Sequence, residues 1–158
     1  MNPFGRGLLN RTVAGLLVAV AAVVVAAGCG GSKSDTDKIE STVADFFAAV
    51  ADGKGQPACA LLTASAIQEL NSAAFLLRPP ASCSEAIETF NRQLSSDDKK
   101  ALESATVNRV TLTGDKATVA DSDIALESGG ESGLFRNNDS RPVALEKVNG
   151  DWKISSLG

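Results

Sequence analysis

The apolar positions of this chain keep a helical period through its middle and change to alternation near its end. Ile39, Val43, Phe46, Phe47 and Val50 recur at the spacing of one helical face, and Gly53 follows them, so a first helix is predicted to stop there. Pro57 suits the first position of a helix. Leu61, Leu62, Ala66, Ile67 and Leu70 then continue in helical fashion with a restart at Thr63 or Ser65, which predicts a bent or broken second helix. Arg78-Pro79-Pro80 forces extended backbone, because each proline pushes the residue before it out of the α region. Ser82 and Glu85 have the spacing of a capping box, and Cys83, Ile87, Phe90 and Leu94 form the stripe of a third helix behind it. Ser96 to Ser104 adds one or two turns, with Asp97 and Asp98 early, where the helix dipole favours negative charge.

From Thr106 onward the pattern is that of strands. Val110 and Leu112 alternate with polar neighbours, Gly114-Asp115 marks a turn, and Ala117 and Val119 resume the alternation on a return strand that Ile124 and Leu126 extend or follow. Gly129, Gly130 and Gly133 read as a flexible loop. Val143 to Val148 and Asp151 to Ser156 flank Asn149-Gly150, the dipeptide best suited to a type I′ turn, in which both central residues need positive φ. A two-residue loop sets Leu145 opposite Ile154 and Lys147 opposite Trp152 on one face, and Glu146 opposite Lys153 on the other. Leu145, Trp152 and Ile154 are therefore expected to pack on the helices. The fold class is α+β, with N-terminal helices on a C-terminal antiparallel sheet.

The N-terminus belongs to a different kind of segment. Arg6 and Arg11 precede sixteen uncharged, mostly Val, Ala and Leu residues from Thr12 to Ala27, the layout of a signal peptide. A spanning helix needs about 20 apolar residues, so the run is better suited to a cleaved segment than to a permanent anchor. Val25-Ala26-Ala27-Gly28-Cys29 resembles the bacterial lipobox, with Ala26 where Leu is usual. The resemblance implies a diacylglyceryl group on Cys29 and cleavage just before it. An ordinary secretory signal with an incidental cysteine, and an uncleaved signal anchor, are the alternatives. Residues 1–28 are thus expected to be a lipoprotein signal peptide, 29–37 the lipidated cysteine and a small polar tether, and 38–158 one globular domain. Membership of the envelope on the outer face of the cell membrane, through the lipid anchor, follows from this layout.

Charge narrows the partners. Arg6 and Arg11 leave with the signal peptide and no acid does, so thirteen basic residues face nineteen acids and the mature net charge is −6. Such a domain is not expected to seek nucleic acid or an anionic lipid surface.

The segments "ADFFAAVADGKGQPACALLTASAIQEL", "VNRVTLTGDKATVA" and "LEKVNGDWKI" together resemble extracytoplasmic lipoproteins of the nuclear-transport-factor-2-like superfamily. The resemblance covers residues 38 to 158 and implies a curved sheet wrapped by helices into a cone. Members commonly place strands between the second and third helices, whereas Ser72 to Ser82, with two prolines, is too short for a clear hairpin. The superfamily holds enzymes, small-molecule binders and protein-binding domains, so the fold alone does not decide function.

Residue types exclude much chemistry. The chain has no His, so Ser-His-Asp and Cys-His nucleophilic systems are ruled out. It has no Tyr, so the tyrosine donor of the isomerases it resembles has no counterpart. Three cysteines, one of them the lipidation candidate, give no metal-ligand spacing, and no metal or other cofactor is expected. Cys59 and Cys83, each near the start of a helix, are expected to form a disulfide in an oxidising compartment; two separate buried thiols are the alternative.

Asp121 and Asp123, two apart on an expected strand, would share a face, with Glu127 and Glu131 downstream. They could bind Ca²⁺ or act as acid and base, although solvated surface groups are the simpler reading. Gly129-Gly130-Glu131-Ser132-Gly133 lacks the lysine of a phosphate loop. Phe46, Phe47, Phe75, Phe90 and Trp152 either pack the core or line a pocket at the mouth of the cone. The functional expectation is a non-enzymatic binding or accessory domain, with an unidentified envelope protein or small ligand as partner. The rival is an isomerase- or hydratase-like enzyme using carboxylates inside the cone.

Overall fold

The computed structural model describes residues 33–74, 82–127 and 141–158. The apolar N-terminal run with Cys29, the Pro79-Pro80 segment with Phe75, and the glycine loop with Glu131 lie outside them.

Helix α1 runs from Asp35 to Ala51 and starts at Ser34, whose hydroxyl accepts from the Asp37 N–H at 3.1 Å while Asp37 accepts from the Ser34 N–H at 3.1 Å. This reciprocal cap closes two of the free N–H groups that every helix start carries. It also draws Asp35 to Asp37, three residues of the expected tether, into the first turn of the helix. Ile39, Val43, Phe46 and Val50 along α1 are fully buried, as the sequence period predicts.

The second helix is broken, as expected, into α2 (Gly55–Ala60) and α3 (Ala64–Ala74). The break has a structural use. Leu61 to Thr63 extend alongside the last strand: the Ile154 N–H donates to the Leu61 carbonyl at 2.8 Å and the Thr63 N–H to the Ile154 carbonyl at 2.8 Å. Thr63 then restarts the helix, its hydroxyl accepting from the Ala66 N–H. Helix α4 (Cys83–Gln93) begins at Ser82, which accepts from the Glu85 N–H at 3.2 Å. Helix α5 (Ser96–Glu103) begins with a reciprocal cap between Ser95 and Asp98.

Among the described residues six strands follow: β1 (Thr106–Val107), β2 (Thr111–Thr113), β3 (Lys116–Val119), β4 (Ile124–Ala125), β5 (Val143–Val148) and β6 (Asp151–Ser156). Strands β1 and β4 pair with each other, and the other four form an antiparallel sheet in the order β2-β3-β5-β6. In the terminal hairpin Leu145 pairs with Ile154, Glu146 with Lys153 and Lys147 with Trp152, the register expected from the two-residue turn. Asn149 and Gly150 have φ of 55° and 93°, so both central residues are left-handed as type I′ requires. An irregularity between Ala144 and Leu145 shifts the pairing beyond the hairpin. The Gly114-Asp115 turn is different: Gly114 has a φ of 60° while Asp115 is not left-handed, the signature of type II′.

Leu145, Trp152 and Ile154 face the helices and are buried, in one cluster with α1, Leu62, Ile87, Leu102, Val119 and Val143. Truncating a large buried aromatic side chain costs about 3 to 5 kcal/mol. Trp152→Ala should therefore lower the free energy of unfolding by that amount in a denaturant titration, and an unchanged midpoint would show that the hairpin does not close the core.

Candidate functional site

The start of the described domain, where the expected tether would join it, is tied to the end of the chain by a polar cluster. Asp35, in the first turn of α1, accepts two hydrogen bonds from the Lys147 ammonium of β5, at 3.0 and 2.9 Å. One of its oxygens also accepts from the Trp152 indole N–H of β6 at 3.1 Å. The Lys147 Nζ stands 5.6 Å from the centre of the Trp152 ring, within range of a cation–π contact. The Lys147 and Trp152 hydrogen bonds hold the Asp35 carboxyl below its usual value of 3.8. The carboxyl is about a third exposed, so solvent screening keeps the ion pair modest. The ring is deeply buried while its N–H reaches a carboxylate at the surface, which satisfies both halves of an amphipathic side chain.

At the other end of α1 every terminal carbonyl has a donor. The Asp52 N–H bonds Ala48, the Lys54 N–H bonds Ala49 at 2.8 Å and the Gly53 N–H bonds Val50 at 3.1 Å, a Schellman ending in which Gly53 takes a φ of 67°. Asn91, on α4, donates through Nδ2 to the Val50 and Ala51 carbonyls at 2.9 and 2.6 Å, and its Oδ1 accepts from Lys99 at 3.1 Å. One amide thus joins α1, α4 and α5. Nearby, α2 lies so close to α4 that a Cβ on Gly55 would come within 2.7 Å of Ser84 backbone atoms. The Cys59–Cys83 disulfide links the same two helices across a Cα separation of 6.2 Å.

The residues singled out in the sequence fall into separate places. Phe46, Phe47 and Trp152 belong to the buried core, with Phe46 and Phe47 packed edge to face at 5.7 Å, and Phe90 is partly buried against that core. Asp121 and Asp123 do not share the face of a strand. They occupy a single 3₁₀ turn (Asp121–Asp123), where three residues per turn set side chains two apart about 120° from each other. Glu127 is exposed. Among the described residues the buried polar side chains are Thr42 and Thr63, and no carboxylate is buried with them. Among the same residues no three acidic, cysteine or histidine side chains gather where they could hold a metal ion, and no helix is long and apolar enough to cross a membrane. Cys29 lies outside the described residues.

Sequence reasoning missed Asp35 and Asn91. Ser34 and Asp37 carry the signal for the first, a capping box with Asp in place of Glu; Asn91 meets carbonyls some 40 residues away, and local spacing holds no trace of that. Comparison with protein-family models, curated proteins and solved structures returns no match.

Two outcomes follow from this geometry. Because the Asp35 carboxyl is lowered in the folded state, its charge contributes stability above the unfolded value near 3.8 that is lost as pH falls through and below it. Asp35→Asn, which retains an acceptor for Trp152, should therefore be less stable than the parent at neutral pH, with the gap narrowing below about pH 4; a gap independent of pH would contradict the ion pair. Replacing both Cys59 and Cys83 by Ser frees a loop closed at a sequence separation of 24, and should lower stability by about 3.5 kcal/mol on the chain-entropy argument. Equal unfolding midpoints for the two proteins would refute that contribution.

Proposed function

We propose that this chain is an envelope lipoprotein, anchored to the outer face of the cell membrane through acyl chains on Cys29, whose domain is a non-enzymatic binding or accessory module. The observation that carries the reading is the Cys59–Cys83 disulfide, since such bonds persist in oxidising compartments outside the cytoplasm. The N-terminal signal layout and the lipobox-like run ending at Cys29 support export and lipidation. Two or more acyl chains make attachment stable, because each buried CH₂ contributes about 0.8 kcal/mol and one chain alone binds reversibly.

The finer fold reading belongs with this proposal. A helical layer over an antiparallel sheet is compatible with the cone of the nuclear-transport-factor-2-like superfamily, and the three segments that resemble its members lie on α1 to α3, on β2 and β3, and on β5 and β6. The binding reading is supported over a carboxylate enzyme by where the described acids lie, at the surface rather than in the apolar core.

Cys29→Ala removes the only attachment point that this reading allows. The variant should leave the membrane fraction or accumulate as an unprocessed precursor. Normal processing together with full membrane retention would overturn the proposal.

A further inference from the structure

The terminal hairpin turns on the one Asn-Gly pair of the chain. Asparagine is a thermolabile residue, and most so before glycine, because no side chain then shields the backbone nitrogen that follows the amide. At Asn149-Gly150 nothing else shields it either. Both residues are exposed, and a Cβ placed on Gly150 would meet no atom within 4 Å. The Gly150 N–H has no backbone acceptor, and the Asn149 amide has no hydrogen-bond partner among the described residues.

Sites of similar chemistry elsewhere in the domain are held or crowded. At Asp52-Gly53 the Gly53 N–H donates to the Val50 carbonyl at 3.1 Å, and the Asp52 carboxylate pairs with Lys54 at 2.8 Å. The Asn91 amide is fixed on two carbonyls of α1 and by Lys99, inside helix α4. Asn108 is exposed, but Arg109 follows it and its side chain crowds the nitrogen.

We propose that Asn149 is a modification site, at which the turn converts itself to isoaspartate and so unlocks the hairpin from α1. The Gly150 nitrogen attacks the Asn149 Cγ, the amide leaves as ammonia with the proton of that nitrogen, and a cyclic imide remains. The amide must swing onto the face of the next peptide group, so attack takes place as the turn opens, which at an exposed loop tip costs little free energy. Water then opens the ring at either carbonyl. Opening at Cγ gives an ordinary aspartate, which keeps the register because Asp-Gly suits the same turn. Opening at the backbone carbonyl gives isoaspartate, whose main chain runs through Cβ and Cγ and is one carbon longer. The loop then no longer fits the type I′ geometry that sets Val148 opposite Asp151 and Lys147 opposite Trp152. Lys147 and Trp152 are the residues that bond Asp35 in the first turn of α1, so the change falls beside the joint between the hairpin and that helix.

Trp152 is the one tryptophan of the chain, so its fluorescence reports the hairpin alone. The purified full chain is incubated in mildly alkaline buffer, and its peptides are mapped with an isoaspartate-specific methyltransferase as probe. Asn149 should convert severalfold faster than Asn91 or Asn108, and Trp152 emission should move to the red in step with isoaspartate. Asn149→Gly has no amide to lose and suits the turn, because glycine takes positive φ freely; its emission should not move over the same period. Asn149→Asp should start with the emission of the parent and shift later, since a carboxylate is the poorer electrophile, which separates the added backbone carbon from the added charge. An Asn149 amide that outlasts that of Asn108, isoaspartate that accumulates with no change in emission, or an equal red shift in Asn149→Gly would each overturn the proposal. None of these readings depends on whether Cys29 is lipidated.

Discussion

Burial of one face of α1 is the constraint around which the described domain is built. Among its nine fully buried large side chains, Ile39, Val43, Phe46 and Val50 come from this helix, and the others reach it from α4, α5 and the sheet. Each such side chain contributes about 1.5 to 3 kcal/mol relative to exposure. Its C-terminal end, Ala49 to Ala51, is buried, and there a peptide group without a partner would cost about 1 to 3 kcal/mol. The Ser34–Asp37 cap and the Asp35 cluster deal with one end; the Schellman turn and Asn91 deal with the other. The two polar arrangements lie roughly 25 Å apart, the length of a helix of seventeen residues.

This arrangement bears on the proposed function. From Ser34 onward the chain is committed to a capped helix, so on the anchored reading the five residue steps from Cys29 to Ser34 span at most about 17 Å. The domain would stand close to the bilayer and turn as one body, since Lys147 and Trp152 bind the first turn of α1 to the terminal hairpin. Its acidic surface would be held off anionic headgroups by repulsion. The disulfide, the close approach at Gly55 and Asn91 tie α1, α2 and α4 together at the far end of α1.

Local chemistry accounts for what was legible in the sequence. The α1 stripe, the broken second helix, the Ser82 cap and the Asn149-Gly150 register are all set by residues within one or two turns of each other. The fate of Leu112 was not legible, because its alternation with polar neighbours matches that of a buried residue and only the extent of the helical layer decides its exposure. The Asp121–Asp123 turn was misread as strand because a period of two does not distinguish an extended segment from a single 3₁₀ turn that connects two strands. Of the polar framework, the Lys147–Trp152 pairing followed from register; the Ser34–Asp37 cap marks the helix start that holds Asp35, but Asp35 and Asn91 meet partners 40 or more residues away, and nothing local marks those contacts.

Native-state hydrogen exchange tests the central place of α1 most directly. If the helix is the element on which the rest depends, the amides of Val43, Phe46, Phe47 and Val50 should exchange only through global unfolding, with the same free energy as those of Leu145 and Ile154 and the same response to denaturant. Exchange of the α1 amides through a lower-energy local opening, while β5 and β6 remain protected, would contradict the account.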